Sequence, residues 1–202
     1  MLKFMEQILG NSDISDWIGN KNTSRGIIDI VTAELINSTI GKKPNETFKK
    51  GDPLPPLWHW FAFPSATHLS QLGDDGHPKH VGYIPPQNLT RRMWASGSLT
   101  FHSDLKIGEE IIKDTTLLDI KKKESQSGEM VFITYEHKLR NSNNIAITET
   151  QNIVYLQASE SFNPPKKRDV PEPDYPKEKI AISNPLLFRF SALTYNAHRI
   201  HY

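Results

Sequence analysis

The residues best suited to acid–base chemistry lie at the end of the chain, in Leu186-Leu-Phe-Arg-Phe-Ser-Ala-Leu-Thr-Tyr-Asn-Ala-His-Arg-Ile-His-Tyr202. A largely apolar run from Leu186 to Leu193 breaks at Thr194 into a segment that holds Asn196, His198 and His201. A strand that ends and at once delivers a polar side chain and an imidazole places an acid/base pair at an apolar pocket. The competing reading is that His201 only caps or packs the start of a helix. Arg91 and Arg92 are a second group: guanidinium geometry suits phosphate, or else the pair only holds the start of a strand. His59, between Trp58 and Trp60, reads as a packed, hydrogen-bonded histidine in preference to a catalytic one. Asp74-Asp75-Gly76 reads as a turn and not as a pair of catalytic acids.

These groups need elements to carry them. Residues 1–25 are mostly polar, with Trp17 and Ile18 as anchors. From about Asp29 to Ile40 the pattern is helical, with Ile27, Ile28, Val31, Leu35 and Ile36 near one face; Asp29 or Thr32 would cap its start and Gly41 its end. A turn-rich lead-in, Lys49 to Pro56, feeds Leu57-Trp-His-Trp-Phe-Ala-Phe63, expected as an aromatic strand buried on both faces. Residues 64–90 are rich in Gly and Pro and have little periodicity, as a functional loop would be. From Arg91 the period becomes two, with Leu99 and Phe101 alternating with Thr100 and His102. Further strands follow over Thr115 to Lys123, Met130 to Leu139 and Ile145 to Leu156, with Val131, Ile133 and Tyr135 on one face. One helix, one aromatic strand and a four-strand antiparallel meander predict an α+β fold in which the sheet wraps the helix.

Composition narrows the chemistry. The chain has 202 residues, 24 basic against 23 acidic, and no cysteine. The near-neutral balance gives no general attraction to nucleic acid or anionic membrane. Without cysteine there are no disulfides, no thiolate catalysis and no cysteine-ligated metal. The eight histidines lack a metal pattern such as His-Glu-x-x-His, so neither metal nor cofactor is expected. No apolar run approaches the ~20 residues of a membrane span, the start does not read as a signal peptide, and a cytoplasmic location is the default. Asn163 to Pro176 holds five prolines and alternating charge, so residues 158–180 read as an extended linker between a domain at 1–157 and a further segment at 181–202. Lys166-Lys167-Arg168 belongs to that solvated linker, since acids follow at once.

Three stretches resemble one family. Asp52-Pro-Leu-Pro-Pro-Leu-Trp-His-Trp-Phe-Ala-Phe63 is similar to a family signature. So is Gly82-Tyr-Ile-Pro-Pro86 together with Arg91-Arg-Met-Trp-Ala-Ser-Gly-Ser-Leu-Thr-Phe-His102, in which Ser96 replaces a glycine. The C-terminal segment resembles a motif Asp, any residue, Asn, Pro, aliphatic, His, with Asn196 at the Asp, His201 at the final His, and His198 and Arg199 at the Asn and Pro. The family is that of the MaoC-like double hot-dog enzymes, in the branch of hydroxyacyl-thioester dehydratases type 2 and mesaconyl-C4-CoA hydratases. The resemblance implies a first hot-dog unit that supports a pocket and a second that carries the acid/base residues. Family chains continue for about another hot-dog past the motif, so residues 181–202 are expected to be the first strand of a truncated second unit. It implies hydration or dehydration of an acyl thioester on coenzyme A or acyl carrier protein. His201 would be the acid/base and Asn196 its hydrogen-bonding companion, since Asn196 cannot ionise. Arg91, Arg92 and Trp94 would contact substrate, and hot-dog pairing, as a homodimer or with a partner, would cover apolar surface. The rival reading is a non-enzymatic thioester-binding or scaffold module.

Overall fold

The computed structural model describes residues 14–79, 89, 91–125, 128–142, 144–157, 169 and 178–198. Five antiparallel strands form one sheet: β1 (Lys21–Ile27), β2 (Arg91–Phe101), β3 (Glu110–Ser125), β4 (Gly128–Arg140) and β5 (Ile145–Leu156), in the order β1-β3-β4-β5-β2. The sheet folds around helix α1 (Ile30–Ile40), whose Ala33 and Ile36 share a core with Ile111, Leu139, Ala146 and Ile147 of the strands. This is the hot-dog layout expected from the sequence.

Helix α1 starts where the sequence indicates. The Asp29 carboxylate accepts from the Thr32 amide at 2.7 Å and Gly41 closes the other end. Its buried face matches the expected one only in part: Ile28 and Ile36 are fully buried as expected, but Ile27 is exposed. Ala33, Ile36 and Asn37 point inward, whereas Val31 is 63% and Leu35 52% exposed. The helix carries apolar residues on both sides, so spacing alone could not choose between them.

The sheet corrects the expected order. Strands β3, β4 and β5 make a meander, but β2 pairs with β5 at the far edge and not with β3. The other edge is β1, which the polar sequence Lys-Asn-Thr-Ser-Arg-Gly-Ile did not suggest. It is held by side chains as well as by its ladder: Thr23 Oγ1 donates to Asp114 at 2.6 Å, and Arg25 pairs with Glu110 at 2.6 Å.

Two further segments are not strands. Residues Trp58–Ala62 form a 3-10 turn entered through Leu57, whose φ of 72° is left-handed. Pro55 and Pro56 bring the chain into this reversal, and the turn buries Trp58, His59, Phe61 and Ala62. The nearly unbroken run of apolar and aromatic residues makes the segment read as an inner strand, although Leu57 and Trp60 are exposed. The run expected to open a second unit as a strand is helix α2 (Asn184–Leu193). Its signals are local: the Ser183 hydroxyl accepts from the Leu186 amide, and Pro185 sits in the first turn. Helix α2 lies beside α1 and sets Phe190 edge-on against Phe61 at 5.2 Å. Most of the expected linker lies outside the described residues. No helix among the described residues is long and apolar enough to cross a membrane.

Candidate active site

The inner face of the sheet is read from the strand registers. Along β4, Val131, Ile133, Tyr135, His137 and Leu139 alternate inward, and all are buried. Their neighbours in register give successive rows across the sheet. One is Lys113–Leu139–Ile147–Phe101, the next Thr115–His137–Glu149–Leu99, and others place Trp94 beside Ile153 and Arg92 beside Tyr155. Arg92 and Trp94 therefore face inward and Arg91, one residue away, faces out.

The larger cavity, about 660 Å³, lies where helix α2 meets the loop after Phe63. Phe63, Leu69, Leu72 and Phe188 give it apolar walls, and Arg92, Ser191, Thr194 and Asn196 put polar atoms into it. Asn196 arrives there through the way α2 ends. The Asn196 amide donates to Ser191 O at 2.9 Å and the Tyr195 amide to Ala192 O at 3.1 Å. That is the paired bonding of a Schellman cap, in which the residue after the cap is left-handed. Here that residue is Tyr195 (φ 52°) and not glycine, a conformation costing roughly 1 kcal/mol. The next turn is fixed by the Asn196 side chain, whose Oδ1 accepts from the His198 amide at 3.0 Å. This bond sets the carboxamide so that Nδ2 is the atom left to donate.

The loop from the expected turn Asp74-Asp75-Gly76 holds this segment in place. Gly76 is left-handed (φ 85°), and a Cβ there would collide with the Ala197 carbonyl. Asp75 accepts from the His77 amide at 3.0 Å and from its Nδ1 at 2.9 Å, and the His77 ring packs on His198 with centroids 4.3 Å apart. Partial burial works against ionisation of Asp75, but the hydrogen bonds from His77 and the nearby His198 prevail and hold its carboxyl below the usual range. Ligand atoms of Asp75, His77 and His198 lie within 4.8 Å of one another, so these are the side chains that could share a cation. Spacing could not reveal the group, because His198 joins it through the fold.

A second, smaller cavity of about 240 Å³ is lined by His59, Trp60, Phe63, Trp94, Lys113, His137, Leu139, Glu149 and Gln151. Glu149 and His59 are each 2% exposed. A buried carboxylate must be hydrogen-bonded, and Glu149 is: Trp60 Nε1 donates to it at 3.1 Å and Gln151 Nε2 at 2.8 Å. His59 Nε2 lies 3.7 Å from it, near enough to favour its charge but too long for a hydrogen bond. Burial alone would raise the Glu149 pKa; these neighbours outweigh it and keep the group ionised. His137, bonded through Nδ1 to the Thr115 hydroxyl at 2.8 Å, is pushed down, first by burial and then by the charge of Lys113. His59 is packed as expected, but not hydrogen-bonded as expected: its Nε2 is buried without a hydrogen-bond partner among the described residues.

Of the residues singled out from the sequence, Asn196 and Arg92 share the larger cavity and Trp94 lines the smaller one, against the edge of Trp60. Arg91 lines neither. His201 lies outside the described residues. Lys113, His137 and Glu149 were missed, although each lies an even number of residues from an inward apolar position on its own strand.

The model of the family of hydroxyacyl-thioester dehydratases type 2 matches residues 57–202. The chain is 37% identical over 196 residues to mesaconyl-C(4)-CoA hydratase of Chloroflexus aurantiacus, covering 96% of this chain and 69% of that protein. It is 27% identical over 175 residues to the mitochondrial hydroxyacyl-thioester dehydratase type 2 of Schizosaccharomyces pombe, covering 74% of this chain and 57% of that one. In fold it is similar to a MaoC-like dehydratase from Phytophthora capsici, with a TM-score of 0.52 at 12% identity over 96% of this chain and 65% of that one. HtdX of Mycobacterium tuberculosis gives a TM-score of 0.51 at 13% identity over 89% and 65% of the two chains.

Proposed function

Because the chain belongs to the family of hydroxyacyl-thioester dehydratases type 2, we propose that it acts as a hydro-lyase on an acyl thioester carried by coenzyme A or acyl carrier protein. The observation that carries this reading is the Schellman-delivered Asn196 in an apolar cavity that also holds the Arg92 side chain. Hydration places a hydroxyl on the β-carbon and a proton on the α-carbon; dehydration removes both. Both directions require the thioester carbonyl to be polarised and a proton to move. Asn196, with Oδ1 committed to the His198 amide, offers Nδ2 to the carbonyl or to the water. His201, five residues on, exchanges the proton, and the apolar walls keep competing water away. Arg92, on the inner face, meets the carrier's phosphates, whereas Arg91 faces away from the cavity.

Residues 181–202 begin the second unit of a double hot-dog, and the pocket is completed by further hot-dog structure, either in the same polypeptide or by pairing. The exposed apolar side chains of Val31, Leu35 and Phe188 require such cover; the alternative to the enzyme is a module that binds thioesters without turnover. Crotonyl-CoA hydration, followed as loss of enoyl-thioester absorbance, separates the two. His201→Ala is expected to lower turnover by at least ~100-fold. A folded His201→Ala protein with unchanged turnover would remove His201 from the mechanism.

A further inference from the structure

Asp75, His77 and His198 meet beside the larger cavity, and the hydro-lyase chemistry uses none of their side chains. Asp75 and His77 come from the loop after Phe63, whereas His198 comes from the segment that carries Asn196. Their ligand atoms lie within 4.8 Å of one another. Asp75 Oδ2 is 2.9 Å from His77 Nδ1 and 4.0 Å from His198 Nε2. A triangle with these sides has a point about 2.4 Å from every corner, a few tenths of an ångström beyond a Zn²⁺ bond to imidazole or carboxylate. At 4.0 Å the Asp75–His198 contact is too long for a hydrogen bond, but a cation between the two would bridge it.

Each part of the group is already oriented. Asp75 Oδ1 accepts from the His77 amide at 3.0 Å, which leaves Oδ2 toward the imidazoles. The His198 amide donates to Asn196 Oδ1 at 3.0 Å, and the His77 and His198 rings pack with centroids 4.3 Å apart. Gly76, between the first two ligands, lies so close to the Ala197 carbonyl that a Cβ would not fit. Contacts of this kind, which hold ligands in place before an ion arrives, are what a metal site requires.

The donor set indicates the ion. Two imidazoles and one carboxylate suit Zn²⁺, and also Co²⁺ or Ni²⁺, better than Mg²⁺ or Ca²⁺, which prefer six or more oxygens. A neutral His77 ring would move its proton from Nδ1 to Nε2 as Nδ1 took the metal. Three protein ligands leave a fourth position for water.

We propose that Asp75, His77 and His198 bind one divalent transition cation, which fastens the segment carrying Asn196 to the loop after Phe63. The site is a structural clamp beside the cavity, and its existence does not depend on thioester turnover.

The test is calorimetric titration of the protein, free of any affinity tag, with Zn²⁺ and with Mg²⁺. One Zn²⁺ should bind per chain, and Mg²⁺ should bind at least ~10-fold more weakly. His77→Ala and His198→Ala should each weaken Zn²⁺ binding at least ~10-fold, whereas His102→Ala, which removes an exposed histidine of β2, should not. Absent binding, equal binding of Mg²⁺, or Zn²⁺ binding that both folded ligand variants retain would overturn the proposal. X-ray absorption at the zinc edge of the loaded wild-type protein needs no variant. It should show two imidazole nitrogens and a carboxylate oxygen at about 2.0–2.2 Å; fewer than two imidazoles would overturn the assignment. Hydrogen exchange tests the clamp: Zn²⁺ should slow the amides of residues 73–79 and 194–198 in the wild-type protein and not in His198→Ala. Unchanged exchange in zinc-loaded wild type would show that the ion fastens nothing.

Discussion

Asn196 stands where the family motif has an acid, so its contribution must come from hydrogen bonding. Replacing Asn196 by Ala should lower kcat/KM for crotonyl-CoA by about 10- to 100-fold, the usual loss for one donor aimed at developing charge. Asn196→Asp should keep part of the activity and add an ionisation to the acid side of the pH–rate profile. A second consequence at this scale concerns Glu149 and His137. Both have folded pKa values below their ordinary ones, 4.5 and 6.5. Each group's stabilisation is therefore complete above its ordinary value and is lost as the pH falls through that value toward the folded one. The facing groups are Lys113, His59, Gln151 and Thr115. Thermal melts should show stability flat near pH 8 and declining below about 6.5, by no more than about 1.4 kcal/mol per pH unit for one proton. A second decline should follow in the carboxylate range. In His137→Gln the first decline should vanish and the second remain. The sequence singled out Asn196 because it follows a break in an apolar run, and Arg92 because guanidinium geometry suits phosphate; the fold brings both to one cavity. Lys113, His137 and Glu149 were legible only in part: the inward alternation Val131, Ile133, Tyr135 extends by one step to His137, but only the strand registers bring Glu149 and Thr115 beside it.

At the scale of elements, two local errors share one cause. The runs Leu57–Phe63 and Leu186–Leu193 are apolar almost throughout, and a short apolar run does not distinguish strand from helix by period. What decides is at the ends. Ser183 and Pro185 start α2, and the left-handed Leu57 starts the 3-10 turn after two prolines. Strand β1 was illegible for the opposite reason: an edge strand held by Thr23–Asp114 and Arg25–Glu110 contacts carries no apolar alternation. Two substitutions test how these elements deliver Asn196. Tyr195→Gly relieves the left-handed strain at an exposed side chain and should raise stability by up to about 1 kcal/mol in urea unfolding; lower stability would show that the Tyr195 side chain itself holds the turn. Gly76→Ala drives a methyl group into the Ala197 carbonyl and should displace the Asn196 segment. Activity should fall at least ~10-fold while the sheet's urea midpoint moves little. Full activity in Gly76→Ala would mean the loop does not position the motif.

At the scale of the whole molecule, the hot-dog sheet is closed around α1 on one side, yet apolar side chains remain exposed: Val31 and Leu35 on α1, Phe188 on α2, and, on the inner face of the edge strand β2, Trp94 and Phe101. The chain spans 69% and 57% of the lengths of the two curated relatives it matches. Together these support a unit that pairs with further hot-dog structure. Sedimentation of this polypeptide should therefore give a mass that rises with concentration above that of 202 residues, and a strict monomer at every concentration would contradict pairing. The overall layout was readable from the period-two strands after Arg91 and the capped helix at Asp29. The place of β2 beside β5 was not, because antiparallel alternation does not specify the neighbour. The most direct measurement is crotonyl-CoA hydration by the wild-type protein with Asn196→Ala and His201→Ala alongside. Measurable wild-type turnover that drops in both folded variants, more steeply in His201→Ala, is the result the account predicts. Turnover that both variants retain in full would contradict it.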